Sequence, residues 1–198
     1  LFSSKEDLLI AISNIALKVL SELFAKAVQH NGSTRERMYL VSFAYLIYAT
    51  IHPALFSTML CAKSPTINGK SSECRMTEQE HLEHQMLAPL FALIEEAIVK
   101  KELTLPEYIS VKQVCFAHWT SGYGVIAMLL SADGSCSVRK EFVVEQELLN
   151  SNNLLLDGLG WQPLTHQKNY GSTLKDALQE VFGKELDQIT KSGRVLNI

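Results

Sequence analysis

The 198-residue chain lacks the short motifs that usually announce an enzyme. It has no G-x-S-x-G, no Gly-rich phosphate loop, no dinucleotide fingerprint and no paired-cysteine zinc pattern. No nucleophile stands beside a base, so the chain is not expected to be an enzyme, and no cofactor is expected. It is also poor in turn-formers, with ten Gly and five Pro, which disfavours a loop-rich β-sandwich. Basic excess is missing: 18 Lys+Arg face 21 Asp+Glu, a net charge of −3, which argues against a free-standing nucleic-acid binder. Cysteine is sparse. Cys61, Cys74, Cys115 and Cys136 form no C-x-x-C pair. Lys5, Glu6 and Asp7 precede the first apolar run, so no secretory leader is read and a cytoplasmic location is expected, with free thiols.

What the chain does have is apolar mass, 47% of its residues, enough for a real core in one domain. Two stretches, Tyr39–Ala62 and Val114–Ala132, carry no Asp, Glu, Lys or Arg. Their length is near that of a membrane span. Ser42, Thr50, His52, Pro53, Ser57 and Thr58 interrupt the first. His118, Thr120, Ser121, Gly122 and Gly124 interrupt the second. Both therefore read as buried helices rather than spans.

No run alternates with a period of two, and the apolar spacing is helical throughout, so the expected fold class is all-α with seven or eight helices. A capped start at Ser3-Ser4 with Glu6 and Asp7 opens a helix that Asn31-Gly32 stops. Ser33 caps a second helix to about Thr50. His52-Pro53 breaks it, and a short helix restarts at Pro53. After a loop over Lys63–Met76, Thr77 with Glu80 suggests a further cap, and Pro89 should kink or split that helix near Ala88. Pro106 is expected to start a helix to about Ser131. Another follows over about Val138–Asp157, and a last one spans Thr173 to about Lys191.

The opening Leu1-Phe2-Ser3-Ser4-Lys5-Glu6-Asp7-Leu8-Leu9 resembles a junction in the tetracycline-repressor (TetR) family. There an aromatic, small residues, a Lys, acidic residues and a Leu follow the recognition helix of a helix-turn-helix. Phe2, Lys5 and Leu8 hold the motif positions. Ile51-His52-Pro53-Ala54-Leu55-Phe56 resembles a corner of the family's bodies. Trp119-Thr120-Ser121-Gly122-Tyr123-Gly124 resembles a Trp-x-x-x-His-Gly motif, with Tyr123 in the place of the His. Leu156-Asp157-Gly158-Leu159-Gly160-Trp161 resembles a late turn.

The resemblance implies a ligand-responsive transcriptional regulator, a repressor by expectation, with its DNA-binding head outside this chain. Residues 1–9 would be the remnant of the head junction, 4–31 the connecting helix, and 32–198 the ligand-binding and dimerisation domain. It further implies that Ser4 and Lys5 meet a DNA phosphate, a contact that positions without reading sequence. The implied partners are operator DNA, a small-molecule effector and a second copy of the chain, with no membrane. A twofold dimer would set two heads roughly 34–36 Å apart. Aromatic, Met and His residues on inward helix faces are the pocket candidates for a largely apolar or aromatic effector. They are Tyr45, Tyr48, Met59, His84, Phe91, Phe116, His118, Trp119, Tyr123 and Met128. Small residues Ala117, Ser121, Gly122 and Ala127 would let a partner helix approach, making a four-helix bundle. A different reading is a metal- or redox-responsive module using Cys74, His81 and His84. The H-x-x-H spacing puts both histidines on one helix face, but no metal site is expected.

Overall fold

The computed structural model describes residues 2–61, 72–130 and 138–196. Among them are seven α-helices and no strand: α1 Lys5–Val28, α2 Thr34–Ile51, α3 Pro53–Cys61, α4 Glu73–Val99, α5 Val111–Leu130, α6 Val144–Gly158 and α7 Tyr170–Lys191. A short 3-10 turn, Val138–Glu141, precedes α6. The all-α expectation holds.

The bundle is built around α2. From Met38 to Ala49 every residue of this helix is buried, because α1, α3, α4, α5, α6 and α7 all pack on it. A helix apolar all round is stable in water only in such a position. Its start is fixed locally: the Ser33 hydroxyl accepts from the Glu36 N–H, and the Glu36 carboxylate accepts from the Ser33 N–H, a complete capping box. Its end is fixed by His52-Pro53, where α3 turns away at 112°. By length and hydropathy α1 could cross a membrane, and so could α2 and α3 taken together. In the fold α1 lies against both α2 and α4, with Ile10, Leu17, Leu20 and Phe24 in the core.

Several helix starts differ from the sequence reading. Helix α4 begins at Glu73, not after Thr77, and the Thr77 hydroxyl donates to the Glu73 carbonyl inside the helix. The reason is long-range. Asp7, at the start of α1, accepts from both the N–H (3.2 Å) and the hydroxyl (2.7 Å) of Ser72, and takes the Arg75 Nε at 3.1 Å. One carboxylate thus caps a second helix, and the Ser72 hydroxyl, then its backbone bonds and Arg75, hold its own pKa well below the usual carboxylate range. Pro89 does not split α4, which runs unbroken to Val99. The 20-residue α5 begins at Val111 rather than Pro106, because Ser110 and Gln113 form a reciprocal cap there. The helix expected from Val138 is a 3-10 turn followed by α6, and α7 starts at Tyr170 under an Asn169 cap, three residues before Thr173.

The connection between α6 and α7 is pinned by Arg35, which is fully buried. Its guanidinium donates to the Trp161 carbonyl (2.5 Å), Asp157 (2.7 Å), Thr165 (3.0 Å) and the Tyr39 hydroxyl (3.1 Å), and lies 4.8 Å from the Tyr170 ring centre. The planar fork suits this site, satisfying several acceptors at once. Trp161 adds an indole N–H bond to Thr34 at 2.9 Å. Cys115 is buried and Cys74 is exposed in the first turn of α4. Cys136 and the Cys61 side chain lie outside the described residues.

Candidate functional site

A narrow cleft runs between α1, α2, α4 and α5. Leu20 and Phe24 come from α1, Val41, Ser42 and Tyr45 from α2, Met86, Leu87 and Leu90 from α4, and His118, Trp119 and Gly122 from α5. The space between these side chains is small, about 20 Å³, room for about one water. Its walls are overwhelmingly apolar, and none of these residues carries a formal charge at neutral pH.

At its inner end three polar side chains from three helices converge. His118 Nε2 lies 2.9 Å from Ser42 Oγ and 3.0 Å from Asn152 Oδ1, and Ser42 Oγ lies 3.0 Å from the same Oδ1. Asn152 is oriented from behind, since its amide N–H donates to the Leu148 carbonyl at 2.7 Å. Its Oδ1 must therefore face the other two as an acceptor. Burial pushes the His118 pKa down to about 4, against the opposing pull of Asn152 and the Met38 carbonyl, so the imidazole is neutral at pH 7. Burial likewise lifts Tyr45 to about 12, although the Trp119 side chain hydrogen-bonds to it.

Ser42, His118 and Asn152 are the residue types of a nucleophilic triad, but not its geometry. In a triad the orienting group holds one ring nitrogen while the other takes the nucleophile's proton. Here Ser42 and Asn152 crowd the same nitrogen. The arrangement suits holding a ligand's polar group.

The expected pocket residues divide three ways. Tyr45, His118 and Trp119 line the cleft. Tyr48 and Met59 are buried behind it and touch each other, the Tyr48 hydroxyl facing the Met59 sulfur at 3.9 Å. The Tyr123 ring lies tilted against Tyr45 and Phe56, and Phe91 packs half-buried against the core. Three residues lie outside and correct the expectation: Phe116 is 60% exposed, Met128 is 55% exposed, and His84 faces solvent. An almost uniformly apolar α5 offers no polar stripe from which to read its rotation. The sequence pattern does not single out Ser42 and Asn152 as site residues. Ser42 carries a signal, the one aliphatic hydroxyl in the run of buried residues from Met38 to Ala49 on α2.

The small residues of α5 also face inward more than expected. The Ser121 hydroxyl meets Ser151 of α6 at 2.5 Å, and Gly122 looks onto Leu148 and Ser42 of its own chain. Both serve packing within the chain, while Ala117 and Ala127 are half-buried. The outward apolar residues of this helix pair are Phe116, Met128 and, on α6, Leu154, which is 78% exposed. His81 and Cys74 are exposed on α4 like His84, and among the described residues no group of three or more ligating side chains comes together. Ser4 caps α1, accepting from the Asp7 N–H at 3.0 Å, and Lys5 is exposed in the first turn.

Comparison with protein families, curated proteins and solved structures finds no match to this chain.

Proposed function

We propose that the chain is the effector-binding and dimerisation body of a TetR-like transcriptional regulator, a repressor acting in the cytoplasm. In this reading its DNA-binding head lies outside the chain. The observation that carries it is the double role of α1. The helix that begins within the Phe2, Lys5 and Leu8 pattern also supplies Leu20 and Phe24 to the cleft wall. A molecule that parts α1 from α4 therefore acts on the same rigid element that would carry the head. Binding shifts the protein toward the conformation that accommodates it, and if that conformation misplaces the heads, DNA affinity falls. The coupling is typically 1–3 kcal/mol and reciprocal.

Dimerisation through α5 and α6 fits the same reading. Phe116, Met128 and Leu154 give the pair an outward apolar face, and α5 carries no charge beyond Lys112. Two copies related by a twofold axis would cover that face as a four-helix bundle.

The decisive experiment titrates the intact protein, head included, with DNA at fixed salt, with and without small apolar molecules. Salt-dependent DNA binding that a cleft ligand weakens is the expected result. A protein without DNA affinity would sink the proposal. Sedimentation of the chain at micromolar concentration tests the assembly: a dimer that Leu154→Arg converts to monomer is expected, and a monomeric parent chain removes that part of it.

A further inference from the structure

Helix α5 is apolar on nearly every side. Lys112 is its one charged residue, and Lys112 and Gln113 mark an outer side for the first turn alone. Beyond that turn His118, Thr120 and Ser121 stand among small, apolar or aromatic residues. Turning such a helix by one residue, about 100°, exchanges one apolar side chain for another at most contacts. The hydrophobic effect has no direction of its own, so burial chooses only weakly between rotations. Polar groups choose strongly. His118 Nε2 lies 2.9 Å from Ser42 Oγ of α2 and 3.0 Å from Asn152 Oδ1 of α6, and the ring also bonds to the Met38 carbonyl of α2. The Asn152 amide is held in turn by the Leu148 carbonyl. Every buried nitrogen and oxygen of these three side chains has a partner. A second tie, Ser121 to Ser151 at 2.5 Å, joins the same side of α5 to α6. In any other rotation His118 leaves the cluster, and the buried polar side chains lose their protein partners, a costly outcome for each.

We infer that the Ser42–His118–Asn152 cluster is a rotational key for α5. It fixes which side of this helix meets α2 and α6, and so leaves Phe116 and Met128 on the outer surface. The key acts within one chain and needs neither a ligand nor a second copy. Its gain is a unique packing rather than added stability, because buried polar groups replaced by apolar side chains of similar volume commonly leave a protein as stable or more so. A single buried polar residue fixes register in coiled coils by the same penalty on the alternatives.

The test replaces the whole cluster, Ser42→Ala, His118→Leu and Asn152→Leu together, in the 198-residue protein. Helix content by circular dichroism should be unchanged, and Tm should stay within about 5 °C of the parent's. The backbone amide signals of Val111–Leu130, one sharp set in the parent, should broaden or divide into several sets. Leu178→Ala serves as the contrast, because it opens a cavity at a buried position of α7 and leaves the cluster in place. Its Tm should fall while α5 keeps one sharp set of signals. A single sharp set in the triple variant would overturn the inference. So would equal broadening in Leu178→Ala, since any loosened core would then blur α5. Unfolding of the triple variant, or a fall in Tm beyond that of Leu178→Ala, would overturn it too, because the cluster would then be a source of stability and not a choice between rotations.

Discussion

Acidification should unfold this protein partly through one buried imidazole. His118 is enclosed by α2, α5 and α6, and burial holds its pKa at about 4 against an ordinary 6.5. The sign follows from proton counting. Between these two values the unfolded chain binds a proton at this residue and the folded chain does not, so stability falls as pH drops through that window. The gap between 6.5 and about 4 is worth about 3 kcal/mol at roughly 1.4 kcal/mol per pH unit, of which about 2 kcal/mol is already lost by pH 5. That is a large fraction of the 5–15 kcal/mol typical of a folded domain. The carboxylates held low in this fold behave differently. Glu96, paired with Arg37 and Lys100 and held at about 2, is lost only at more acid pH, and so are Asp7 and Asp157. The assay is urea unfolding at pH 7, 6 and 5 for the parent and for His118→Gln, whose amide can still donate to Asn152 but does not titrate. The parent should lose about 2 kcal/mol more than the variant between pH 7 and pH 5, to within the usual factor of mutational context. Equal acid sensitivity of the two proteins would refute the buried neutral imidazole. So would a His118 ring signal that titrates above pH 6 in the NMR spectrum of the parent.

Two further outcomes follow from the packing. Arg35→Met removes the clamp on the α6–α7 connection and leaves the Trp161 carbonyl without its partner. Since Asp157 is 36% exposed and can be rehydrated, the cost should sit near the low end for a broken buried pair, about 3 kcal/mol, read as a drop in Tm of roughly 6–12 °C. A drop under 2 °C would show the clamp to be dispensable. Gly122→Ala should be tolerated, because a Cβ there would lie 3.8 Å from Leu148 Cδ1 and from Ser42 Oγ, an ordinary contact distance. Helix propensity then raises stability by up to about 1 kcal/mol. Destabilisation in thermal melts would mean that the small residue is required for close helix approach after all.

What the sequence by itself determined was the helical class, the starts of the first three helices and most C-terminal helix ends, because these depend on near neighbours. Apolar periodicity, the Ser33–Glu36 box and the His52-Pro53 break act within a turn or two of chain, and the structure keeps all of them. Tertiary structure decided the rest. The start of α4 is set by a carboxylate 65 residues upstream, which no local cap rule could weigh against Thr77 and Glu80. The rotation of α5 is set by what α2 and α6 present to it, and this turns Phe116 and Met128 outward and His118 inward. The burial of Arg35 depends on acceptors 122–130 residues away. The polar end of the cleft exists only where α2, α5 and α6 meet. Ser42, His118 and Asn152 are separated by 76 and 34 residues, and no periodicity relates them. Local spacing fixes which way a side chain points on its own helix. Which side chains share a site is fixed by how the helices pack.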